Sequence, residues 1–134
     1  AVRQFDAKSL EERFKFWEAE FKRCIRCYAC RQVCPMCYCP RCVADQSMPG
    51  WFSKAADLGG NLSWNLTRAM HLAGRCIDCG ECERACPAGI FLRDLNRKLQ
   101  KEIKEMFNYE AGSSIEKKPL LAGFDKNDPE EFIK

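Results

Sequence analysis

Apolar residues near the start of the chain recur at helical spacing. Leu10, Phe14, Trp17 and Phe21 follow at intervals of four, three and four and predict an amphipathic helix over 9–23. Ser9 with Glu12 reads as a capping box at its start. This helix reads as a packing element, with a docking role for Phe16 and Trp17 on a partner subunit as the alternative. A second stripe, Leu62, Leu66, Ala69 and Ala73, predicts a helix over 62–73, opened near Asn61 or Ser63 and closed by Gly74. A third, Leu92, Leu95, Leu99, Ile103 and Met106, predicts a helix over 90–107. Arg93, Arg97, Lys98, Lys101 and Lys104 crowd its other faces, as a solvated surface or as a basic docking surface. Residues 35–61 hold Pro49 and several glycines and read as an irregular insert, with Trp51 and Phe52 as expected buried anchors. The fold class expected is mainly α, one domain over 1–112. Beyond Gly112, Pro119 and Pro129 interrupt any helix, and Leu120, Leu121, Phe124 and Phe132 are scattered among charges. Residues 113–134 are expected to form an extended C-terminal arm over this chain or a neighbouring subunit, or else a disordered tail.

Cysteine changes the picture. Eleven of the 134 residues are cysteine, a density that suggests a disulfide scaffold in a secreted chain. The count is odd, the first ten residues are charged and polar rather than signal-like, and the spacing is that of metal ligands. Free thiols in a reducing, cytoplasmic compartment are the expectation. The net charge of +3 is mild and argues against a nucleic-acid partner. No apolar run is long enough for a transmembrane segment. The chain starts at Ala1 rather than Met, which fits processing or a longer subunit.

Two stretches repeat one pattern. Cys24, Cys27, Cys30, Cys34 and Pro35 read C-x₂-C-x₂-C-x₃-C-P, and so do Cys76, Cys79, Cys82, Cys86 and Pro87. The runs fall at 24–34 and 76–86. This pattern resembles that of two-cluster ferredoxins, in which the fourth cysteine ligates the other cluster. The resemblance implies two [4Fe–4S] clusters, one on Cys24, Cys27, Cys30 and Cys86, the other on Cys76, Cys79, Cys82 and Cys34. Zinc is the alternative metal, though its sites more often show paired C-x₂-C knuckles. Ile25 and Ile77 share a slot and are expected to cover the cubes. Lys22, Arg23, Arg26, Arg31 and Arg41 surround the first run without an acid, so the first cluster is expected to have the higher potential. Cys37, Cys39 and Cys42 have no place in this scheme. They mark a possible additional cluster or metal site, unligated thiols, or a redox-active dithiol, with Asp45 and His71 as unconvincing fourth ligands.

The order of run, helix, run, helix resembles the α-helical ferredoxin domain of the small iron–sulfur subunit of heterodisulfide reductase and of succinate dehydrogenase and fumarate reductase. The wording Arg23-Cys24-Ile25-Arg26-Cys27-Tyr28-Ala29-Cys30-Arg31, followed by Cys34-Pro35-Met36-Cys37-Tyr38-Cys39, is most similar to iron–sulfur subunits of anaerobic formate dehydrogenase, hydrogenase and heterodisulfide-reductase-like complexes. Cys37-x-Cys39-x₂-Cys42 departs from the succinate dehydrogenase pattern. The resemblance implies an electron-transfer subunit between a flavin or metal active site and another carrier. Its implied partners are the other subunits of a redox complex, a flavoprotein or a metal-containing oxidoreductase. With one histidine, no Gly-rich phosphate loop and no Ser–His–Asp set, no catalytic site is expected in these residues. A fragment of a larger iron–sulfur oxidoreductase and a zinc-binding interaction module are the competing readings.

Overall fold

Helices and turns account for the regular structure of the described residues, 5–123 and 126–127, in this computed structural model, and no strand is among them. Helix α1, Leu10–Lys22, opens with the reciprocal cap: the Glu12 amide donates to Ser9 Oγ and the Ser9 amide to the Glu12 carboxylate. Its stripe is buried only toward the end. Phe21 is fully enclosed, whereas Leu10 and Phe14 are exposed. Phe16 and Trp17 are engaged within the chain: Phe16 stacks on Phe91 with ring centres 6.3 Å apart, and Trp17 on Phe21 at 5.5 Å.

Two one-turn helices, α2 (Ala29–Gln32) and α4 (Glu81–Arg84), sit inside the two cysteine runs. Between them runs α3, Leu58–Leu72. It starts earlier than its apolar stripe suggests. Asp57, not Asn61 or Ser63, is the cap, accepting from the Gly60 amide at 2.7 Å. Gly59 and Gly60 in the first turn mask the start in sequence, because glycine weakens a helical pattern. Gly60 has a reason to be there: a Cβ would lie 3.0 Å from Arg26 Nη1 and 3.2 Å from the Ala55 carbonyl.

The buried face of α3 is largely polar. Asn61, Asn65 and Arg68 are enclosed beside Trp64, Ala69 and Leu72, while Leu66 is exposed. Asn61 Nδ2 donates to the carbonyls of Phe21 (3.0 Å) and Cys24 (2.8 Å), tying the end of α1 to α3.

Helix α5, Leu92–Phe107, stops at Asn108, which adopts a left-handed conformation (φ 47°) that asparagine tolerates. Leu92 and Leu95 are buried and Met106 is exposed. The basic residues of α5 are paired within the chain. Arg93 and Arg97 hold Asp78 at 2.8 and 2.7 Å, Lys98 and Lys101 hold Asp6, and Lys104 holds Glu110.

Helix α3 packs on α1 and α5, and α4 packs on α2 and α5. Phe21, Ala69, Ile90, Leu92 and Leu95 form one core together with Cys30 and Cys82. In the insert, Phe52 reaches Trp64 (6.2 Å), but Trp51 is 62% exposed and is no buried anchor. Leu120 approaches Gly74 at the end of α3. The expected arm is described over 113–123 and 126–127, with a short helical turn at Leu120–Ala122, while 124–125 and 128–134, with Phe124, Asp128, Pro129 and Phe132, lie outside the described residues. Among the described residues, no helix is long and apolar enough to cross a membrane.

Replacing Asn61 strands two carbonyls at the junction of α1 and α3. Asn61→Ala is expected to cost about 2–4 kcal/mol, against about 1 kcal/mol for Asp57→Ala, a cap loss alone. Denaturant unfolding of the anaerobically prepared protein measures both. Equal costs would contradict this account of the junction.

Candidate iron–sulfur site

The two cysteine runs fold into the same shape. Arg26 and Asp78, each just before the second cysteine of its run, both have φ 57°. Tyr28 and Gly80, each just after it, have φ 59° and 77°. Left-handed residues at these slots curl each loop tightly. The hydrogen bonds repeat as well: the Arg31 and Gln32 amides donate to the Tyr28 carbonyl, and the Glu83 and Arg84 amides to that of Gly80.

A positive φ is costly for residues other than glycine, and side-chain contacts hold these in place. Arg26 is buried, donating to the Tyr28 hydroxyl (3.1 Å) and the Ser53 carbonyl (2.9 Å). Asp78 is gripped by Arg93 and Arg97. Those ion pairs hold its carboxyl below the ordinary range against the opposing effect of burial, and hold both arginines above theirs.

Curled in this way, the runs line two cavities. Cys24, Cys27 and Cys30 line one together with Cys86. Cys76, Cys79 and Cys82 line the other together with Cys34. Cys34 and Cys86 thus each face the cavity built by the opposite run. Ile25 and Ile77 lie at the solvent rims, each more than half exposed.

The donors present suit iron–sulfur chemistry. Each cavity offers four thiols and no histidine. None of the eleven cysteines is in a disulfide. Among the described residues, no three cysteine, histidine or acidic side chains converge on a point where a single metal ion could sit. Four thiols in each cavity match the one cysteine per iron that a [4Fe–4S] cube takes. Burial pushes the Cys30 thiol up to about 11 and raises Cys76 and Cys82 as well. Such thiols lose their protons readily only against a bound cation, which couples cluster binding to folding.

The charge around the cavities departs from the expectation drawn from the first run. No arginine or lysine lines the first cavity. Arg23 turns to the Ala88 carbonyl and Glu20, and Arg31 to Asp45. Arg26 of the first run is buried but held by Tyr28 and Ser53, and the buried cation at the second cavity is Arg68 of α3, which the runs themselves do not reveal. It is 5% exposed, lines the second cavity and donates to the Cys30 carbonyl at 2.9 Å. Its Nε is buried without a partner, and it has no ion pair with any acid of the described residues. The sulfurs of Cys30, Cys34, Cys37 and Cys82 surround it instead. On α5, Asn96 Nδ2 lies 3.7 Å from Cys82 Sγ. Sequence analysis missed both Arg68 and Asn96, which sit on helices far from either run and carry no motif of their own.

Cys37, Cys39 and Cys42 lie outside both cavities and line a third, open one with Arg31, Arg75 and His71. Cys37 hydrogen-bonds to Cys34, which lowers the Cys34 thiol and raises its own.

Two curated relatives resemble nearly the whole chain. The F420-dependent formate dehydrogenase subunit beta of Methanocaldococcus jannaschii is 32% identical over 124 residues, 90% of this chain and 32% of the relative. The F420-dependent formate dehydrogenase 1 subunit beta of Methanococcus maripaludis is 32% identical over 119 residues, 87% of this chain and 30% of the relative. The chain therefore spans about a third of the length of these relatives. The family model described as a 4Fe-4S dicluster domain matches residues 23–91, which take in both runs and α3. These residues are just over half of the chain, and the chain belongs to the 4Fe-4S dicluster domain family, with two [4Fe–4S] clusters as its cofactors.

Proposed function

We propose that this chain is the electron-transfer unit of an anaerobic oxidoreductase of the formate dehydrogenase type, relaying single electrons between a flavin or metal active site and another carrier. Its partners on this reading are the flavoprotein or metal-containing parts of that complex, in a reducing, cytoplasmic setting. The ligand sets are Cys24, Cys27, Cys30 and Cys86 for one cluster and Cys76, Cys79, Cys82 and Cys34 for the other. The observation that carries the reading is the sorting of these eight thiols into two cavities, three from one run and one from the other in each. The family match and the names of both relatives support it. A separate subunit and a segment of a longer chain both fit, because the dicluster unit does the same work in either.

Each part of the chain has a task in this reading. The paired left-handed residues aim three thiols into one cavity, and Pro35 and Pro87 follow the crossing cysteines. Asn61 and the enclosed core keep water from the inner thiols Cys30 and Cys82. Arg68 supplies the countercharge. A buried charge is tolerated only when compensated, and an anionic cluster beside it provides that compensation. Because Arg68 lines the second cavity, the cluster of Cys34, Cys76, Cys79 and Cys82 is expected to have the higher potential, the reverse of the expectation from local sequence charge.

Serine substitutions test the crossing. Cys86→Ser is expected to change the same EPR signal as Cys24→Ser, and Cys34→Ser the same signal as Cys76→Ser. Grouping of Cys86→Ser with Cys76→Ser would show that each run closes its own cluster.

Arg68 is tested by its potential. A unit charge several ångströms away at an effective dielectric near 20 is worth about 2–3 kcal/mol, on the order of 100 mV for one electron. Arg68→Met is expected to lower the second potential by that order, and Arg68→Lys to restore most of it. Unchanged potentials in Arg68→Met at full iron content would contradict the countercharge role.

A further inference from the structure

Three thiols remain after the dicluster assignment, and they are gathered rather than scattered. Cys37, Cys39 and Cys42 line one open cavity of about 220 Å³ between the turn after the first run and α3. Two are partly buried and Cys39 is exposed. The turn that carries them is ordered by its own hydrogen bonds: the Cys37 amide donates to the Cys34 carbonyl at 3.1 Å, and the Asp45 amide to the Cys42 carbonyl at 3.0 Å. Neutral residues such as Met36, Trp64 and Thr67 share the lining with three cations. Arg31, Arg68 and Arg75 all border the cavity, with His71 beside them. Asp45 is the acid there, and Arg31 engages it at 2.8 Å.

The ligand must answer to both features. Soft thiolates select iron–sulfur clusters, copper(I) or zinc. The arginines select an anion. A phosphate group would use the arginines and leave three thiols idle. A zinc ion needs ligands that meet at one point, and no such group exists among the described residues. An anionic iron–sulfur cube satisfies both requirements, with its ligands spread over separate irons.

We propose that Cys37, Cys39 and Cys42 hold a third [4Fe–4S] cluster, in the cavity lined by Arg31, Arg75 and His71. The fourth iron would have no cysteine, since the other eight line the two inner cavities. The Cys37 amide donates to the Cys34 carbonyl at 3.1 Å, and Arg68 borders both this cavity and the second one. The third cluster therefore stands next to the second and opens to solvent. It makes the natural point at which electrons enter or leave the buried pair. This inference rests on the dicluster reading for the eight inner cysteines.

Iron and acid-labile sulfide per chain, measured on full-length protein purified without oxygen, decide it. About twelve irons are expected, three cubes' worth. The variant Cys37→Ser/Cys39→Ser/Cys42→Ser is expected to fall to about eight while keeping the EPR signals of the inner pair. Cys39→Ala, at an exposed position, serves where the triple variant folds poorly; it is expected to lose the third signal alone. About eight irons in the unaltered protein, with both inner signals intact, would overturn the third cluster and leave the dicluster reading standing. One zinc per chain at this site would overturn it equally. Fewer than about eight irons without sulfide would remove the dicluster reading and this inference together.

Discussion

Cys34 and Cys86 each end one cysteine run and face the cavity made by the other. That crossing is the constraint on which the rest of the structure depends. It places α2 against α4 at the centre of the fold and makes each cavity a joint product of residues some fifty positions apart in sequence. On the proposed ligand sets neither run completes a site alone, so cluster binding and the closing of the two halves become one event. Such coupling is common where a small domain draws its stability from a metal centre. The apolar core is correspondingly modest, and it includes Cys30 and Cys82.

Around that crossing the protein uses polar residues where a larger domain would use aliphatic ones. The inner face of α3 carries Asn61, Asn65 and Arg68. The first ties down the Phe21 and Cys24 carbonyls, and the last sits among sulfurs of both runs. On the proposed assignment, the negative charge that a buried arginine without a carboxylate partner calls for is the cluster's. Asp78 is the outer counterpart, held by two arginines of α5 at the rim of the second cavity. Charge is therefore arranged in three dimensions, and cations counted along the first run, such as Arg23 and Arg31, turn to other partners than the first cavity.

The runs, their repeat and the helical stripes were legible in the sequence because each rests on short-range spacing. Ser9 with Glu12 and the stop after Phe107 are of this kind. The start of α3 was not, since Gly59 and Gly60 hide a helix whose cap is Asp57. The inner face of α3 was misread for a related reason. Leu66 looks like a core residue and is exposed, while Asn61 and Arg68 look like surface residues and are enclosed. Periodicity assumes that a buried face is apolar, and here that face meets carbonyls and thiols. Trp51 failed in the opposite direction: a large aromatic in a loop, half out in solvent, with its Nε1 donating to Gln46 at 3.2 Å.

The central claim is that the two inner clusters belong to one interlocked unit. EPR of the fully reduced protein tests it most directly. Two reduced cubes held in cavities joined by the crossing cysteines are expected to interact magnetically, giving a broadened, split spectrum in which the inner pair accounts for about two spins per chain, beside the spin of the third cluster. Two sharp, independent signals that simply add would contradict the interlocked arrangement.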